Sequence, residues 1–410
     1  MQTRMQKEFS FQPFTEEFAR DPYAVYACLR EEHPIYYYKE WGLYLLSSYE
    51  DIATLVNDSR MVRTLDHVMP AEAVAARREV ENWSRTPNIS RYVRVSMLDS
   101  EGEMHDRLRK LVFRKFTPVR VQALRVLVQA YVDQRIDMII GDREMDFIED
   151  FVATIPGYVI GHLLGVPAED RLQLRLWSEH IVQFFEPERT VEQIQLAEDT
   201  CAEFADYLSR LAAERRVDPQ DDLISELVAA MLDGHLNEDE LVSTCMLILM
   251  AGHGSTIDVS GNGMLALLKH PQELDKLRSQ PAFTQTAVQE MFRYDPPLPY
   301  FHRFLLEDME YKNLFFKKGT KFGVIYASAN RDAAQFENPD LFDVTRQPNR
   351  HLAFGIGAHF CLGNHLARLN MDIMFTSILK RIPNITLATE NPEFRIGLAS
   401  RGLKVLPVSW

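Results

Sequence analysis

The 410-residue chain is 46% hydrophobic and 25% charged, the balance of a globular protein with a substantial core, and its length allows one large domain or two. A formal net charge of −14 argues against a general nucleic-acid binder, which needs a basic face to neutralise phosphates. The four cysteines, Cys28, Cys201, Cys245 and Cys361, lie far apart with no CxxC pair, so neither a disulfide framework nor a structural zinc site is expected.

The opening stretch, Met1 to Phe11, mixes charged and polar residues without an apolar central run, so no targeting signal is expected. Asp21-Pro22 leads into a predicted helix over Tyr23 to Glu32, and the Tyr- and Leu-rich run Ile35 to Leu46 around Gly42 predicts a hairpin. Helical periodicity carries most of residues 103 to 232. The longest predicted helix begins at a capping box, Asn237 with Glu240, and ends before Pro271. That is about 32 residues, or roughly 48 Å at 1.5 Å per residue, enough to cross the molecule. Its middle reads Ala251-Gly252-His253-Gly254-Ser255-Thr256. Two interior glycines, each costing about 1 kcal/mol relative to Ala, imply a close approach to the backbone, a local distortion, or a helix-packing contact. A second strand-like zone covers Met309 to Ala327 with a turn at Lys318-Gly319-Thr320, and two short strands are expected after Phe394.

No segment offers about 18 uninterrupted apolar residues, and Cys245 to Ala251 is only a short run, so a membrane span is not expected. A soluble, cytoplasmic protein is the default. With no internal repeat, low-complexity tract or Gly/Ser linker, one domain over residues 1–410 is expected. It is mainly α with a small β region near the N-terminus, at 309–327 and at the C-terminus.

The chemistry concentrates in His351-Leu-Ala-Phe354-Gly355-Ile-Gly357-Ala-His359-Phe-Cys361-Leu362-Gly363-Asn-His-Leu-Ala367-Arg368. A Gly-rich loop leads to a cysteine that opens a predicted helix from about Leu362 to Arg381. The glycines let the backbone bend tightly and approach a flat ligand. A cysteine at a helix start has a lowered pKa and persists as thiolate, a strong ligand for haem iron; the bland alternative is a buried free cysteine.

Phe354, Gly355, Gly357, His359, Cys361, Leu362 and Gly363 match FGxGxHxCLG, and at this point the chain resembles the cytochrome P450 family, bacterial soluble class. Glu290-Met-Phe-Arg293 matches the family's ExxR pair, followed by Pro296-Pro297, Arg303, Ala329-Asn330-Arg331-Asp332 and Phe336 to Arg346. Phe151 to Asp170 resembles its middle segment, so the likeness runs from about residue 20 to the C-terminus.

The resemblance implies the P450 fold with a long central helix over haem b, and Cys361 as the metal ligand. It implies Glu290, Arg293 and Arg346 as a structural ion-pair network behind the haem. It assigns the propionates to His105, Arg109, Arg303 and His351, and Phe354, Gly355 and Gly363 to the wall of the haem site. His105 and Arg109 stand at i,i+4 and project from one helix face, which independently permits a shared anion. Arg107, Lys110 and Arg114 form a stripe roughly opposite them, either a dock for an acidic electron donor or an ordinary solvated face.

The family's acid–alcohol pair beside the iron falls on Gly254 and Ser255, with Thr256 as a further hydroxyl, so the acid is absent. The resemblance implies a monooxygenase that takes electrons from a ferredoxin and its NAD(P)H-dependent reductase and inserts one atom of O2 into an apolar or amphipathic organic molecule. Gly254 leaves atypical chemistry open, oxidative coupling or peroxide-driven, and a non-catalytic haem binder or sensor is the third reading. A monomer is expected, with no nucleic-acid or membrane partner. The segments Val62 to Val95, Leu174 to Glu186, Leu247 to Ser255 and Leu298 to Phe301 are expected to line the substrate pocket, with Phe184, Phe185, Leu247, Ala251, Leu298 and Tyr300 as contacts.

Overall fold

The structure, a computed structural model, describes residues 9–66, 68–80, 85–94, 96–185 and 189–410. The start of the opening stretch and the pocket positions Val95 and Glu186 fall outside the described residues.

A short helix, Glu16–Arg20, is followed by the helix Tyr23–Glu32 and a hairpin of β1 (Ile35–Tyr38) and β2 (Leu43–Leu46) turning at Gly42, whose φ of 58° only glycine adopts freely. Further strands are β3 (Met61–Val62), β4 (Glu144–Asp146), β5 (Tyr300–Leu305), β6 (Met309–Tyr311), β7 (Leu314–Phe316), β8 (Lys321–Ile325), β9 (Thr386–Leu387) and β10 (Pro407–Ser409). The main sheet runs β1-β2-β8-β5-β3, with β2 and β8 parallel and the other pairs antiparallel. β4-β10-β9 form a second sheet and β6-β7 a third. Of the two strands expected after Phe394, β10 is regular, while Phe394 and Leu403 form an isolated bridge. β5, which lies outside the strand zone expected at 309–327, is the longest strand.

Helices make up most of the rest. The central helix, Glu238–Lys269, spans 32 residues and starts with the expected capping box, Asn237 and Glu240 exchanging side-chain and backbone bonds. Glu238, Asp239 and Glu240 sit in its first turn, where the dipole favours negative charge. The helix is α-helical throughout, so the two glycines do not distort it. A Cβ on Gly252 would stand 2.7 Å from Ile160 Cδ1, so the neighbouring helix Ile155–Leu164 packs on bare backbone there; Gly254 has nothing within 4 Å. Around the central helix lie Ile155–Leu164, Arg171–Val182, Val191–Val217, Thr284–Tyr294 and Asn364–Arg381.

Two stretches, Phe147–Leu164 and Glu238–Lys269, reach the length and mean hydropathy of a membrane span, although, as expected, neither is an uninterrupted apolar run. Both are mostly buried by neighbouring helices, which is what an all-round apolar core helix requires.

Candidate active site

The loop before Asn364–Arg381 is built by glycine. Gly355 and Gly357 have φ of 67° and 74°, and the Cys361 N–H donates to the Phe354 carbonyl at 2.9 Å. Phe354 is pinned between the Phe292 ring (4.4 Å between centroids) and the Arg368 guanidinium (4.3 Å). The helix starts at Asn364 with Gly363 as N-cap, two residues later than expected. Cys361 faces a cavity whose other walls include Ala251, Gly252, Ser255 and Thr256 of the central helix.

Burial pushes the Cys361 thiol pKa up, against the pull of the Gly363 and Asn364 N–H groups and of Arg109 and Arg368. The expectation of a lowered pKa from the helix start is thus overturned for the protein groups alone: the donors are in place, but desolvation outweighs them. A bound metal cation reverses that balance, because a coordinating thiol is deprotonated outright.

Cations converge on one edge of the cavity. Arg109 donates to the Phe360 carbonyl at 2.5 Å. Arg303 is buried yet bonds only the His302 carbonyl, at 2.8 Å, with no carboxylate bonded to it among the described residues. Arg63, buried beside it, reaches Asp99 at 2.9 Å and leaves its Nε without a partner. His105 does not line the cavity but is buried behind His359, its Nδ1 2.9 Å from Asp106 and its Nε2 without a partner. Its ring lies 4.4 Å from that of His359, whose Nε2 is 3.3 Å from Glu101. Buried donors left unmade cost about 1–3 kcal/mol each, so this edge fits a bound group carrying carboxylates.

His351 is not part of that edge. Its Nε2 lies 3.1 Å from Gln289 Oε1 and its Nδ1 accepts from the Ala353 N–H at 3.3 Å. Burial, with Arg368 and Arg293 nearby, pulls its pKa down to about 3. The histidine on the cavity wall is His359, and Arg63 joins it. His359 was legible in principle: it sits in the turn Gly357–His359, two residues before the cysteine, whereas His351 lies ten residues upstream. Arg63, distant in sequence, carried no local signal.

Behind the cysteine loop, Glu290 receives Arg293 (Nε 2.7 Å, Nη2 2.8 Å) and Arg346 (3.2 Å), with Glu290 and Arg293 fully buried. Among the distal residues, Ser255 and Thr256 line the cavity, their hydroxyls donating back to the Ala251 and Gly252 carbonyls at 2.8 and 3.0 Å. Gly254 lies off the cavity wall. His253 is buried against the Ala153 carbonyl at 3.1 Å, a satisfied structural histidine.

Leu247, Ala251 and Leu298 line the cavity as expected, but Tyr300, Phe184 and Phe185 do not. Strand alternation explains Tyr300: in β5, Phe301 and Arg303 turn to the cavity, and Tyr300 turns to Trp41 (6.0 Å) and Gly323. Phe184 is buried in the core and Phe185 points outward. In the expected docking stripe, Arg107 is held by Glu240 at 2.6 and 3.0 Å, which leaves Lys110 and Arg114 as the exposed cations.

A glycine-bent loop presenting a buried cysteine to a cavity, with a cationic edge and a helix wall opposite, defines a haem-thiolate protein. The comparisons agree. A profile for "Cytochrome P450" matches residues 178–393. The chain is 37% identical over 413 residues to the polyketide biosynthesis cytochrome P450 PksS of Bacillus subtilis, covering 98% of this chain and 99% of that one. It is 34% identical over 400 residues to the biotin biosynthesis cytochrome P450 of the same organism, covering 97% and 98%. The crystal structure of P450BioI in complex with an acyl carrier protein ligated to hexadec-9Z-enoic acid superposes with a TM-score of 0.88 at 34% identity, covering 97% of this chain and 100% of that one. The chain belongs to the cytochrome P450 family, whose members bind haem b, and it is an oxidoreductase of the monooxygenase type.

Proposed function

We propose that the chain is one haem-thiolate domain that inserts an oxygen atom from O2 into an apolar or amphipathic small organic molecule. The observation that carries this reading is a cavity with Cys361 on one wall and Ser255 on the facing helix. Cys361 would ligate the haem iron, and His105, Arg109, Arg303, His359 and Arg63 would hold the propionates. When bound, haem supplies the oxygen chemistry, and thiolate donation favours O–O cleavage. Leu247, Ile248, Leu298 and Phe301 give the substrate an apolar bed. Ser255, on the cavity wall, would hold a water and pass protons at its Oγ. The relatives' roles in polyketide and biotin biosynthesis favour a biosynthetic acyl or polyketide-like substrate.

Electrons come from a ferredoxin and its NAD(P)H-dependent reductase, and the protein works as a cytoplasmic monomer. Lys110, exposed on the helix Gly102–Phe113, and Arg114, exposed in the turn Arg114–Phe116 that follows it, dock the acidic donor. Reversing both charges is expected to slow reduction by ferredoxin, steeply at low salt and weakly at high salt, with the haem spectrum unchanged. An unaltered reduction rate at low ionic strength removes these residues from docking.

Turnover of a panel of fatty acids and macrolides tests the whole reading, with ferredoxin, reductase and NADPH in one arm and hydrogen peroxide in the other. Product in the first arm is the expected result. Product with peroxide alone moves the chain to the atypical chemistry that Gly254 favours, and the absence of turnover in both arms marks a haem binder. Within the first arm, Ser255→Ala should lower product per NADPH; equal coupling removes Ser255 from the mechanism.

A further inference from the structure

The acid missing at Gly254 has a counterpart one turn further along. Asp258 lies at i+4 from Gly254 and i+3 from Ser255, so the three share one side of the central helix, with Cβ atoms at i,i+3 and i,i+4 about 5–6 Å apart. Helical side chains lean toward the N-terminus, over the preceding turn. Asp258 therefore leans toward the turn that holds Ser255, and no side chain fills the space at Gly254.

The carboxyl sits in a site built for it. Asp258 is buried and bonds the Arg395 guanidinium, whose side chain is 44% exposed to solvent. The backbone at Gly402 passes directly over the pair: a Cβ there would collide with Asp258 Oδ1 and the Arg395 guanidinium. Arg395 is tied to this segment by its N–H to the Gly402 carbonyl at 2.9 Å and its Nη1 to the Leu403 carbonyl at 3.3 Å. Asp258 thus stands one helical turn beyond the cavity serine, just off the cavity wall, with a half-exposed cation on its carboxyl.

We propose that the Asp258 carboxyl relays protons from solvent to the Ser255 hydroxyl, with Arg395 as its displaceable counter-charge, a role that rests on the monooxygenase reading above. One proton passes from the carboxyl to the Ser255 oxygen, directly or through one water, and the hydroxyl's own proton enters the cavity. The carboxylate left behind is held by Arg395 until solvent re-protonates it. No electron moves in these steps.

Burial pushes the Asp258 pKa up to about 6 against the pull of Arg395, which suits a group that must hold and release protons near neutrality. Other charged groups nearby are engaged elsewhere. Arg401 turns to Asp295, Lys404 pairs with Glu393, and Glu149 pairs with Arg175. Asp150 accepts the Asp146 N–H, and His253 lies on the far face of the helix against Ala153. A carboxyl donates only while protonated, so the relay weakens as pH rises through that midpoint.

The test uses the haem-loaded protein with a ferredoxin, its reductase and NADPH, following oxygen uptake from pH 5 to 8.5 in wild type, Asp258→Asn, Asp258→Glu and Arg395→Gln. Asp258→Asn should slow oxygen uptake roughly a hundredfold or more at pH 6 and flatten its pH profile, leaving the rate of reduction under carbon monoxide unchanged. Asp258→Glu should restore most of the rate. Arg395→Gln, by removing the cation, should move the midpoint to higher pH. Independently of turnover, infrared spectra should contain a protonated-carboxyl band that titrates near pH 6 and is missing from Asp258→Asn. Wild-type rates and pH profile in Asp258→Asn, or the absence of that band, overturn the relay alone. A wild type that is reduced but consumes no oxygen overturns the monooxygenase reading and the relay with it.

Discussion

Replacing Glu290 by alanine should cost about 3–5 kcal/mol of stability, the penalty for breaking a buried ion pair by removing one partner. The Glu290 carboxylate accepts from two nitrogens of Arg293, from Arg346 at 3.2 Å, from Asn349 at 3.1 Å and from the Asp343 N–H at 2.9 Å. Without it, the fully buried Arg293 keeps only the carbonyls of Asn330, Pro339 and Leu341, which orient the guanidinium but do not neutralise it. Against a typical stability of about 5–15 kcal/mol, the loss is about a fifth of the total or more. It falls on the segment that carries the cysteine loop, so haem retention should fail along with stability. Arg346→Ala should cost less, since Arg346 is not fully buried and Glu290 keeps Arg293. Urea unfolding of the three proteins measures the differences; a Glu290→Ala protein within 1 kcal/mol of wild type would show that the network does not brace the loop.

The second large effect is spectral. Cys361→Ser should abolish the thiolate signature of the reduced, carbon monoxide-bound haem protein, leaving at most a band like that of imidazole-ligated haems, and should end oxygenation. No other cysteine can take over: Cys201 and Cys245 are buried in the core off the cavity wall, and Cys28 lies on the helix Tyr23–Glu32, which contributes nothing to that wall. Hydroxyl for thiol is nearly isosteric, so folding should survive. An unchanged spectrum in the serine variant would remove sulfur ligation at 361 and every role assigned around it.

The sequence was most readable where function and local chemistry coincide. The capping box set the start of the central helix, and Gly42 marked its turn, because both are rules of short range. The spacing around Cys361 led to the loop, and ExxR to the buried pair. Contacts made at long range left weaker traces. Arg63 meets His302 across 239 residues, and nothing near it in sequence marks a buried cation. Tyr300 and Phe301 are adjacent aromatics of similar character, and which of them faces the cavity depends on a strand register that β8 fixes. His351 and His359 flank the same glycines, and only the fold of the loop separates the structural ring from the cavity ring.

The parallel pairing of β2 with β8 has a consequence for how the molecule is made. Leu46 finds Val324 only after about 275 further residues have left the ribosome, roughly 15–60 s at 5–20 residues per second. For that interval the nascent hairpin presents an open edge of Tyr and Leu, the kind of surface that holdases cover and neighbouring chains on a polysome compete for.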